Sequence, residues 1–520
     1  MSFRITYSVL EADLSALHAQ FDEALGAVRG RLGAQLPSWI AGEAYRSGDL
    51  LESRNPANPN ELLASFHRTP VTELDRVVHV AREAQRAWGA TPWTERVRIL
   101  LKAADLISER RLELSARMTL EVGKSRLESL GDVEESADLL RYYARQLEEA
   151  EGFRRPMARL SPHEDTLSVL RPYGVFAVIS PFNFPLALAA GMSAGALLGG
   201  NTVILKPSEE TPWCAEGLYH ALADAGLPPG VFQVVHGEGE SLGAALVRHP
   251  GIDGVSFTGS KAVGMALHRT MSTGRVRPCF LELGGKNPAI ICRDADLEAA
   301  IEGCFRSAFG LSGQKCSALS RIYVHESLLN DFTDGLARKA LEARVGDPSL
   351  ASVFTGPVIN AAAVQRFERA MDEVRQDGAI IAGGERLRLE GALSQGHFVA
   401  PTVVALSHGH RLMREELFLP FVGVTSFRTL DEALRLANDC DYGLTAGIFS
   451  RNTSDVERFM AEAEAGVLYA NRRTGATTGA WPGVQSFCGW KSSGASGKGG
   501  CGPYYVSQFM REQAQTRMAS

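Results

Sequence analysis

Apolar positions recur in steps of three and four near the start of the chain, which predicts one face of an amphipathic helix over residues 11–33. These positions are Leu14, Leu17, Phe21, Leu25, Val28 and Leu32. We expect this helix to pack on the main body of the protein. The turn-rich residues 37–70 predict short antiparallel strands.

Three helical segments are predicted next, at about 72–88, 94–110 and 112–150. The first begins at Thr72-Glu-Leu-Asp75, which is typical of a helix cap because its hydroxyl and carboxylates can accept from free backbone N–H groups. Residues 157–172 then predict a hairpin with His163-Glu-Asp165 at its tip.

From Gly174 onward the pattern changes to short apolar runs separated by segments of helix length. The runs lie at 175–179, 202–205, 231–235 and 254–257, and the helical segments at 187–199, 212–224, 240–249 and 261–272. Strands that alternate with helices predict a doubly wound, parallel α/β sheet covered on both faces, an architecture typical of nucleotide binding. A second alternating region, from Ser320 to Asn471, predicts another α/β lobe.

Composition excludes several classes of function. The chain has 520 residues and a net charge of −6 with interspersed signs, so no basic stripe indicates nucleic-acid binding. Its 8 cysteines show neither paired spacing nor a metal-ligand pattern, which favours a reducing cytoplasm without disulfides or a metal site. Neither a secretory signal nor a membrane-spanning run is apparent, so we expect no membrane association.

The first candidate for chemistry is Cys316, which follows a small, glycine-bearing turn. There it can lie against backbone N–H groups and beside Lys315, which would favour the thiolate. A buried structural cysteine is the simpler interpretation of this residue alone. Two upstream motifs argue for catalysis: Glu282-Leu-Gly-Gly-Lys286 supplies a carboxylate, and Ser180-Pro-Phe-Asn-Phe-Pro185 supplies the amide of Asn183. Each of these two groups is also plausible alone as a surface carboxylate or a turn-forming amide.

Several polar residues follow predicted strands, where ligands gather in open parallel sheets. Lys206 and Glu209 end one strand and suit the hydroxyls of a ribose, although a solvated loop is the alternative interpretation. Ser260 stands at a helix start, where free N–H groups suit a phosphate. Glu416 and Phe418 add a carboxylate and an aromatic ring that could hold a nicotinamide riboside.

Together, Glu-Leu-Gly-Gly-Lys, Gly-Gln-Lys-Cys-Ser and Pro-Phe-Asn-Phe-Pro at this spacing resemble the aldehyde dehydrogenase superfamily, and the similarity covers about residues 37–515. The resemblance implies that Cys316 attacks an aldehyde as thiolate. It implies that Asn183 and the Cys316 backbone N–H hold the oxyanion, and that Glu282 activates water to hydrolyse the thioester. NAD is the implied cofactor. The residues implied to bind it are Ser180, Lys206, Ser208, Glu209, Gly239, Phe257, Ser260, Glu416 and Phe418.

The resemblance also implies an α/β organisation in three parts. A Rossmann-like NAD-binding domain takes residues 1–156 and 174–281, and a second α/β catalytic domain takes residues 282–478. A small β-strand oligomerisation flap and the C-terminal segment take residues 157–173 and 479–520. Because the hairpin and a strand near 508–516 would be exposed edges, we expect a homo-oligomer, a dimer or larger.

Within the superfamily, the N-terminal helix, the Cys316 segment and Thr478-Gly-Ala-Trp-Pro-Gly-Val-Gln485 resemble the 1-pyrroline-5-carboxylate dehydrogenase family, which oxidises L-glutamate γ-semialdehyde in proline catabolism. The resemblance implies a carboxylate site, an ammonium site and an apolar wall. The residues are Ser317, Gly479 and Ala480 for the carboxylate, Glu135 for the ammonium and Phe184 for the aliphatic part.

This sequence departs from that family at three places: Ser486-Phe-Cys488-Gly, Leu419, and Asn287-Pro288. Cys488 and Leu419 are expected to add bulk near the nicotinamide side or a subunit contact. Alternative substrates are another carboxylated semialdehyde, such as succinate semialdehyde, or a broad range of less polar aldehydes. A catalytically silent relative is the alternative of a different class. Glu209 predicts NAD over NADP, because a carboxylate repels a 2′-phosphate.

Overall fold

The computed structural model describes residues 14–495 and 497–518. The α-helices of these residues are α1 Ser15–Arg29, α2 Leu74–Ala90, α3 Trp93–Glu109, α4 Arg111–Val122, α5 Arg126–Glu149, α6 Ala187–Leu198, α7 Trp213–Asp224, α8 Ala244–Arg248, α9 Lys261–Met271, α10 Leu297–Phe309, α11 Leu329–Glu342, α12 Ala361–Asp377, α13 Leu430–Asn438 and α14 Thr453–Glu462.

The strands are β1 Ala34–Leu36, β2 Ser38–Ile40, β3 Glu43–Tyr45, β4 Leu50–Asn55, β5 Asn58–His67, β6 Arg154–Pro156, β7 Glu164–Pro172, β8 Val175–Ile179, β9 Thr202–Lys206, β10 Phe232–Val234, β11 Gly254–Thr258, β12 Cys279–Glu282, β13 Asn287–Ile291, β14 Leu319–His325, β15 Ala379–Ala382, β16 Thr402–Ala405, β17 Phe421–Phe427, β18 Tyr442–Gly443, β19 Thr445–Phe449, β20 Val467–Ala470, β21 Trp490–Lys491, β22 Gly494–Ala495 and β23 Met510–Met518.

The first large sheet has the order β22-β12-β11-β8-β9-β10-β2-β3, and its strands from β12 to β10 are parallel. Its central strands are buried on both faces, which explains their continuous apolar runs. In β8, Phe176 and Val178 join the core cluster on one face, whereas Val175 and Ala177 join the cluster on the other. The predicted doubly wound fold is confirmed.

The second large sheet has the order β15-β16-β17-β14-β13-β19-β20 and is parallel from β16 to β20. It confirms the predicted second α/β lobe, but β13 starts at Asn287, well before the predicted beginning at Ser320. The run from Asn287 to Ile291 directly follows the Glu-Leu-Gly-Gly-Lys motif, and the sequence pattern did not predict a strand there. Both sheets therefore flank the segment that carries Glu282.

The N-terminal helix is confirmed over Ser15–Arg29, and residues 11–13 of its predicted span lie outside the described residues. Phe21, Leu25 and Val28 are buried against the β4–β5 hairpin and neighbouring helices, as expected. The predicted antiparallel strands also form, as the pairs β2–β3 and β4–β5.

Two predictions about the helical region are wrong. The single segment at 112–150 is two helices, α4 and α5, because Gly123 adopts a left-handed φ of 83° and ends α4. The predicted cap at Thr72 is replaced by a 3₁₀ turn over Val71–Glu73. Residues 70–75 are all described, and the helix that starts at Leu74 has no capping side-chain hydrogen bond from Glu73.

The flap is a three-stranded antiparallel sheet in the order β23-β7-β6. The predicted hairpin forms from β6 and β7, but Glu164 and Asp165 already belong to β7, so the turn lies at 157–163 rather than at the predicted tip. The last strand pairs with β7 along its whole length, from Met510 opposite Pro172 to Met518 opposite Glu164. The two predicted edges thus cover each other within one chain, and only the outer edges of β6 and β23 are left open.

The C-terminal segment also contributes to the first sheet, because β22 pairs antiparallel with Leu281 and Glu282 of β12. This pairing brings the glycine-rich residues 497–501 next to the end of β12. Among residues 14–495 and 497–518, each helix is too short or too polar to cross a bilayer.

Candidate active site

Two of the three predicted catalytic residues and all of the predicted substrate residues line one cavity between the two large sheets. Its lining includes Cys316 and Glu282 together with all five predicted substrate residues. These five are Glu135, Phe184, Ser317, Gly479 and Ala480. The lining is mainly apolar, with a few convergent polar groups, as in small-molecule sites generally.

A strained turn presents Cys316 to this cavity. Leu311 and Ser312 both have left-handed backbone angles, with φ of 49° and 51°, which is costly for residues with a Cβ. The turn is fixed because Ser312 donates from its backbone N–H to the Thr355 hydroxyl at 2.7 Å and from its own hydroxyl to the Gly356 carbonyl at 2.6 Å. Strain held in this way is typical of functional sites.

Asn287 fixes the other side of the nucleophile. Its side-chain Nδ2 donates to the carbonyl oxygens of Cys316 at 2.7 Å and Ala318 at 2.8 Å, and its Oδ1 accepts from the Thr445 backbone N–H at 3.0 Å. The sequence marked Asn287 only as a departure from one family. Its place directly after the Glu-Leu-Gly-Gly-Lys motif was the available signal for a structural role here.

The expectation that Lys315 activates Cys316 is not supported. Lys315 Nζ forms an ion pair with Glu128 Oε1 at 2.5 Å, and both side chains are largely buried. Burial, and then the nearby carboxyls of Glu416 and Glu282, raise the pKa of the Cys316 thiol well above its usual value. The backbone N–H groups of Ser317 and Cys316 act in the opposite direction, as predicted, but burial outweighs them.

Asn183 lies beside the nucleophile segment. It is buried, and its Nδ2 donates to the carbonyl of Gln314, two residues before Cys316, at 2.9 Å. A side-chain amide has two N–H donors, so one remains for an oxyanion.

Glu282 ends β12 and points a buried Oε2 atom into the site without a hydrogen-bond partner among the described residues. Burial raises the pKa of this carboxyl to about 8. A base with a pKa close to neutral is suited to general acid–base chemistry because it can both take and return a proton. The structure therefore places a thiol and a perturbed carboxyl on the wall of the same cavity.

The loop at residues 478–480 is held by contacts outside the cavity. Arg472 donates to the carbonyls of Thr478 at 2.8 Å and Gly479 at 3.3 Å. These contacts use the carbonyl oxygens of the loop and not its backbone N–H groups. Gly479 has a left-handed φ of 76°. The Ser317 hydroxyl lies 3.5 Å from the Thr478 hydroxyl, so serine and loop form one polar end of the cavity.

A buried ion pair that the sequence interpretation missed supports the other end. Lys124 Nζ lies 2.6 Å from Asp132 Oδ2, and both side chains have no exposed surface. The same lysine sits over the Phe184 ring, 3.6 Å from its centroid, and Asp132 Oδ1 accepts from the Ala187 backbone N–H at 2.8 Å. The Glu121-Val-Gly-Lys124 motif was the sequence signal, but it gave no indication of which carboxylate the lysine would meet.

The predicted ribose residues lie together at the carboxyl edge of the first sheet. Lys206 Nζ contacts Glu209 Oε2 at 3.2 Å, and Glu209 Oε1 accepts from the Gly239 backbone N–H at 3.3 Å. Ser180 joins them through its backbone N–H, which donates to the Lys206 carbonyl at 3.2 Å. The Ser180 hydroxyl is buried and, among the described residues, unpartnered, so it can still donate to or accept from a ligand.

The remaining predicted cofactor residues differ in position. Ser260 caps α9 by accepting from the Val263 N–H at 3.4 Å, and it is exposed at the helix start. Ser208 accepts from the Glu210 backbone N–H at 3.2 Å and so shapes the loop that carries Glu209. Phe257 is buried at the carboxyl end of β11 and lines the cavity of Cys316.

Glu416 and Phe418 border a smaller recess that also includes Lys315. Glu416 Oε1 accepts from the Gly285 N–H at 2.9 Å, and burial raises the pKa of this carboxyl to about 7. The Phe418 ring packs edge-on against Phe182 at 5.7 Å. These groups fit a dinucleotide, since a ribose needs hydroxyl partners, a diphosphate suits the start of α9, and the Ser180 hydroxyl is uncommitted.

The two bulky departures are accommodated without blocking the site. Leu419 borders the recess, and its side chain is buried in a core cluster with Leu417 and Phe421. Cys488 lines the main cavity, and its thiol donates to the Gly466 carbonyl at 3.2 Å. Within residues 14–495 and 497–518, no three His, Cys, Asp or Glu side chains are arranged to hold a metal ion.

A thiol and a perturbed carboxyl on the wall of one cavity, with an amide bonded to the nucleophile segment and a doubly wound sheet beside them, define an aldehyde-oxidising site. The profile of the aldehyde dehydrogenase family matches residues 39–514, and the chain belongs to that family. A protein named 1-pyrroline-5-carboxylate dehydrogenase 1, from Halalkalibacterium halodurans, is 37% identical over 504 residues, which cover 96% of each chain.

Two solved structures are also similar. The 1-pyrroline-5-carboxylate dehydrogenase from Thermus with bound NAD superposes with a TM-score of 0.93 at 34% identity, covering 100% of this chain and 99% of that one. Proline utilization A from Bdellovibrio bacteriovorus gives a TM-score of 0.92 at 33% identity. The match covers 97% of this chain but 52% of that protein, so this chain spans about half its length.

Proposed function

We propose that the protein oxidises L-glutamate γ-semialdehyde to L-glutamate with NAD as the hydride acceptor, in proline catabolism. The observation that carries the proposal is the convergence of Cys316 and Glu282 with Glu135, Ser317 and the 479–480 loop on one cavity. Relatives and solved structures named for this reaction, one of them with bound NAD, support it.

The chemistry begins when the Cys316 thiol gives its proton to water and the thiolate sulfur bonds to the aldehyde carbon, as the π electrons of the C=O bond move to its oxygen. The carbonyl oxygen then carries the negative charge, and the free N–H of Asn183 and the backbone N–H of Cys316 donate to it. NAD, when bound, supplies the acceptor for the hydride that leaves this carbon. Residues Lys206, Glu209 and Glu416 would hold its two riboses. What remains on Cys316 is a thioester.

Hydrolysis of that thioester falls to Glu282. Its carboxylate takes a proton from a water molecule, whose oxygen adds to the thioester carbon, and the carbon–sulfur bond breaks to return Cys316 as thiolate. The raised pKa of Glu282 makes it a stronger base than an exposed carboxylate. Because the carboxyl is buried, its charge is exposed to little water.

Substrate selection comes from the two polar groups at the far end of the cavity. The Ser317 hydroxyl and the backbone N–H groups of Gly479 and Ala480 suit a carboxylate, while Glu135 suits an ammonium group beside it. Phe184, held under Lys124, packs on the aliphatic part. Succinate semialdehyde offers the carboxylate but has no ammonium for Glu135, so it would be a poorer substrate.

The protein acts in the cytoplasm as a homo-oligomer, and its flap is the subunit contact. Support for the flap comes from its exposed apolar side chains, Met157, Leu160 and Met518, on a sheet with two open edges. The proposed domain division places residues 1–156 and 174–281 in the NAD-binding domain and 282–478 in the catalytic domain, with 157–173 and 479–520 as flap and C-terminal segment.

The test is the rate of NADH formation, followed by absorbance, across a panel of L-glutamate γ-semialdehyde, succinate semialdehyde and propanal. We expect the largest kcat/KM for glutamate semialdehyde. The Cys316→Ala variant is the control for background oxidation. A larger kcat/KM for succinate semialdehyde or for propanal would contradict the proposal.

A further inference from the structure

The C-terminal segment places a tyrosine, Tyr505, on the wall of the cavity that holds Glu282, and the mechanism above does not use it. Tyr505 lines the cavity and is buried. Its ring stacks on that of Tyr143, with the ring centroids 4.7 Å apart and an angle of 21° between the planes. Phe509 packs edge-on against it at 5.3 Å.

The ring has little freedom to move. A Cβ placed on Gly195 of α6 would lie 3.0 Å from Tyr505 Cε1, so the helix backbone approaches the ring closely from one side. Tyr143 stacks on one face of the Tyr505 ring, and Phe509 also contacts this ring. The hydroxyl group of Tyr505 therefore has a defined place in the cavity wall.

Tyr505 shares this cavity with Ser256 of β11 and Glu282 of β12. A hydrogen bond from the buried Ser256 side chain lowers the pKa of Tyr505. The next strand is β12, in which Phe280 pairs with Ser256 and Glu282 pairs with Thr258. Burial and then the Glu282 carboxylate raise the pKa of Tyr505, and both side chains line the same cavity.

Glu282 needs such a neighbour. Its Oε2 atom is buried and has no hydrogen-bond partner among the described residues, and a buried unpartnered carboxyl oxygen is costly. In the described part of the chain, its charge also acts on three thiols: Cys316 on the nucleophile turn, and Cys488 and Cys501 on the C-terminal segment. Thiols are weak hydrogen-bond donors, whereas a phenol is a good one.

We infer that Tyr505 is a positioning residue for Glu282: its hydroxyl, held by Ser256, is the donor toward which the carboxylate turns before and after it deprotonates the hydrolytic water. The inference rests on the proposed function of Glu282 as the base. It adds that the C-terminal segment, through Tyr505, determines the position of the Glu282 carboxylate and its pKa. The expected consequence lies in the hydrolysis half of the reaction, after hydride has left.

The test is Tyr505→Phe, which keeps the ring and its stacking but removes the hydroxyl. We expect NADH to form in a first turnover with the wild-type amplitude, followed by a steady-state kcat about tenfold lower, a part of what general-base catalysis contributes. Without its donor the carboxylate is harder to charge, so the midpoint of the kcat–pH profile should move about one unit upward. Ser256→Ala should move the midpoint in the same direction by less.

Tyr143→Phe is the matched control. Tyr143 is also buried, is the other ring of the stack and lines the same cavity, but its hydroxyl accepts from the Cys501 backbone N–H at 3.0 Å, and the carboxylate that acts on it is Glu135. Loss of this hydroxyl should leave the kcat–pH midpoint and the ratio of burst to steady-state rate at their wild-type values.

The inference is overturned if Tyr505→Phe keeps the wild-type kcat and midpoint, or if Tyr143→Phe shifts the midpoint equally, which would indicate packing alone. Circular-dichroism melting checks folding, and if Tyr505→Phe fails to fold, an unshifted midpoint in Ser256→Ala overturns the inference instead. The profiles are recorded with both glutamate semialdehyde and propanal. A wild-type preference for propanal would count against the proposed substrate. The shift of the kcat–pH midpoint in Tyr505→Phe could still be measured with propanal, so the two proposals are tested separately.

Discussion

Asn183 Nδ2 donates to the backbone carbonyl of Gln314 at 2.9 Å, which ties the predicted oxyanion donor to the segment that carries the nucleophile. Gln314 is itself anchored, since its Nε2 donates to the Leu311 carbonyl at 3.3 Å and its Oε1 accepts from the Ile359 N–H at 2.8 Å. The amide and the Cys316 turn are therefore positioned as one unit. This geometry makes Cys316 the first residue to test.

We expect Cys316→Ala to abolish aldehyde oxidation while NAD binding stays near the wild-type value. The sulfur is the only atom lost, and it forms the covalent bond on which the reaction depends. The measurements are NADH formation by absorbance and the NAD Kd by calorimetry. Activity above a few per cent of wild type would refute the assignment of the nucleophile.

The raised pKa of Glu282 predicts the direction in which kcat changes with pH. Because burial raises the pKa of this carboxyl to about 8, it is mostly protonated at neutral pH and becomes a base as the pH rises. Where hydrolysis limits turnover, kcat should therefore increase through about pH 8 and then level off. A profile that falls over this interval would contradict the role of Glu282 as base.

The companion variant is Glu282→Gln, which keeps the shape but cannot take a proton. It should release one equivalent of NADH in a burst and then stall as the thioester accumulates. Rapid-mixing absorbance measures the burst. Absence of a burst, with Cys316 still reactive toward a thiol reagent, would assign the base to another residue.

The sequence predicted best the strands and helices that are almost entirely buried. The strand at Val175–Ile179 and the helix at Ala187–Leu198 match their predicted spans within a residue, because local pattern and final burial agree. The catalytic motifs were also recognisable, since each carries its chemistry within a few residues.

The contacts between distant segments could not be predicted. Lys315 pairs with Glu128, and Lys124 pairs with Asp132, because buried charges take whichever opposite charge the fold supplies. The pairing of the last strand with β7 is likewise a tertiary choice that no local pattern specifies. Tyr505, in a glycine-rich tail without periodicity, carries no sequence signal for its place behind Glu282.

Cofactor preference depends on Glu209. Its carboxylate is held between Lys206 Nζ and the Gly239 N–H, where it would accept from a ribose 2′-hydroxyl and repel a 2′-phosphate. We expect kcat/KM to be much larger with NAD than with NADP, and Glu209→Gln to reduce that ratio. Glu210→Gln is the control, since the Glu210 carboxylate accepts from Asn360 Nδ2 at 2.7 Å instead. Comparable kcat/KM for both cofactors in the wild type would refute the prediction.

The flap can be tested without removing a strand. Leu160, in the turn between β6 and β7, is 99% exposed, which is unfavourable for a large apolar side chain unless another subunit covers it. Leu160→Asp should lower the mass measured by light scattering, with an unchanged melting temperature of the dilute protein. Val276→Asp, at an 86% exposed valine outside the flap, should leave the mass unchanged. Deletion of residues 508–520 should also lower the mass, but it uncovers β7 as well. An unchanged mass in Leu160→Asp would count against the flap as the contact.

The last prediction concerns the substrate carboxylate. The Ser317 side chain is buried in the cavity wall directly after the nucleophile, and its hydroxyl lies 3.5 Å from that of Thr478 at the start of the 478–480 loop. If this hydroxyl donates to the carboxylate, Ser317→Ala removes a hydrogen bond to a charged group, worth about 1.5–3 kcal/mol.

That loss corresponds to an increase in the KM for glutamate semialdehyde of roughly tenfold to 150-fold, since each 1.4 kcal/mol is a factor of ten. Propanal has no carboxylate, so its kcat/KM should hardly change, and it serves as the control within the same variant. Steady-state kinetics with the two aldehydes measure both effects. Equal losses of kcat/KM with the two aldehydes would show that Ser317 positions Cys316 and does not bind the carboxylate. A contact with the carboxylate would affect glutamate semialdehyde alone.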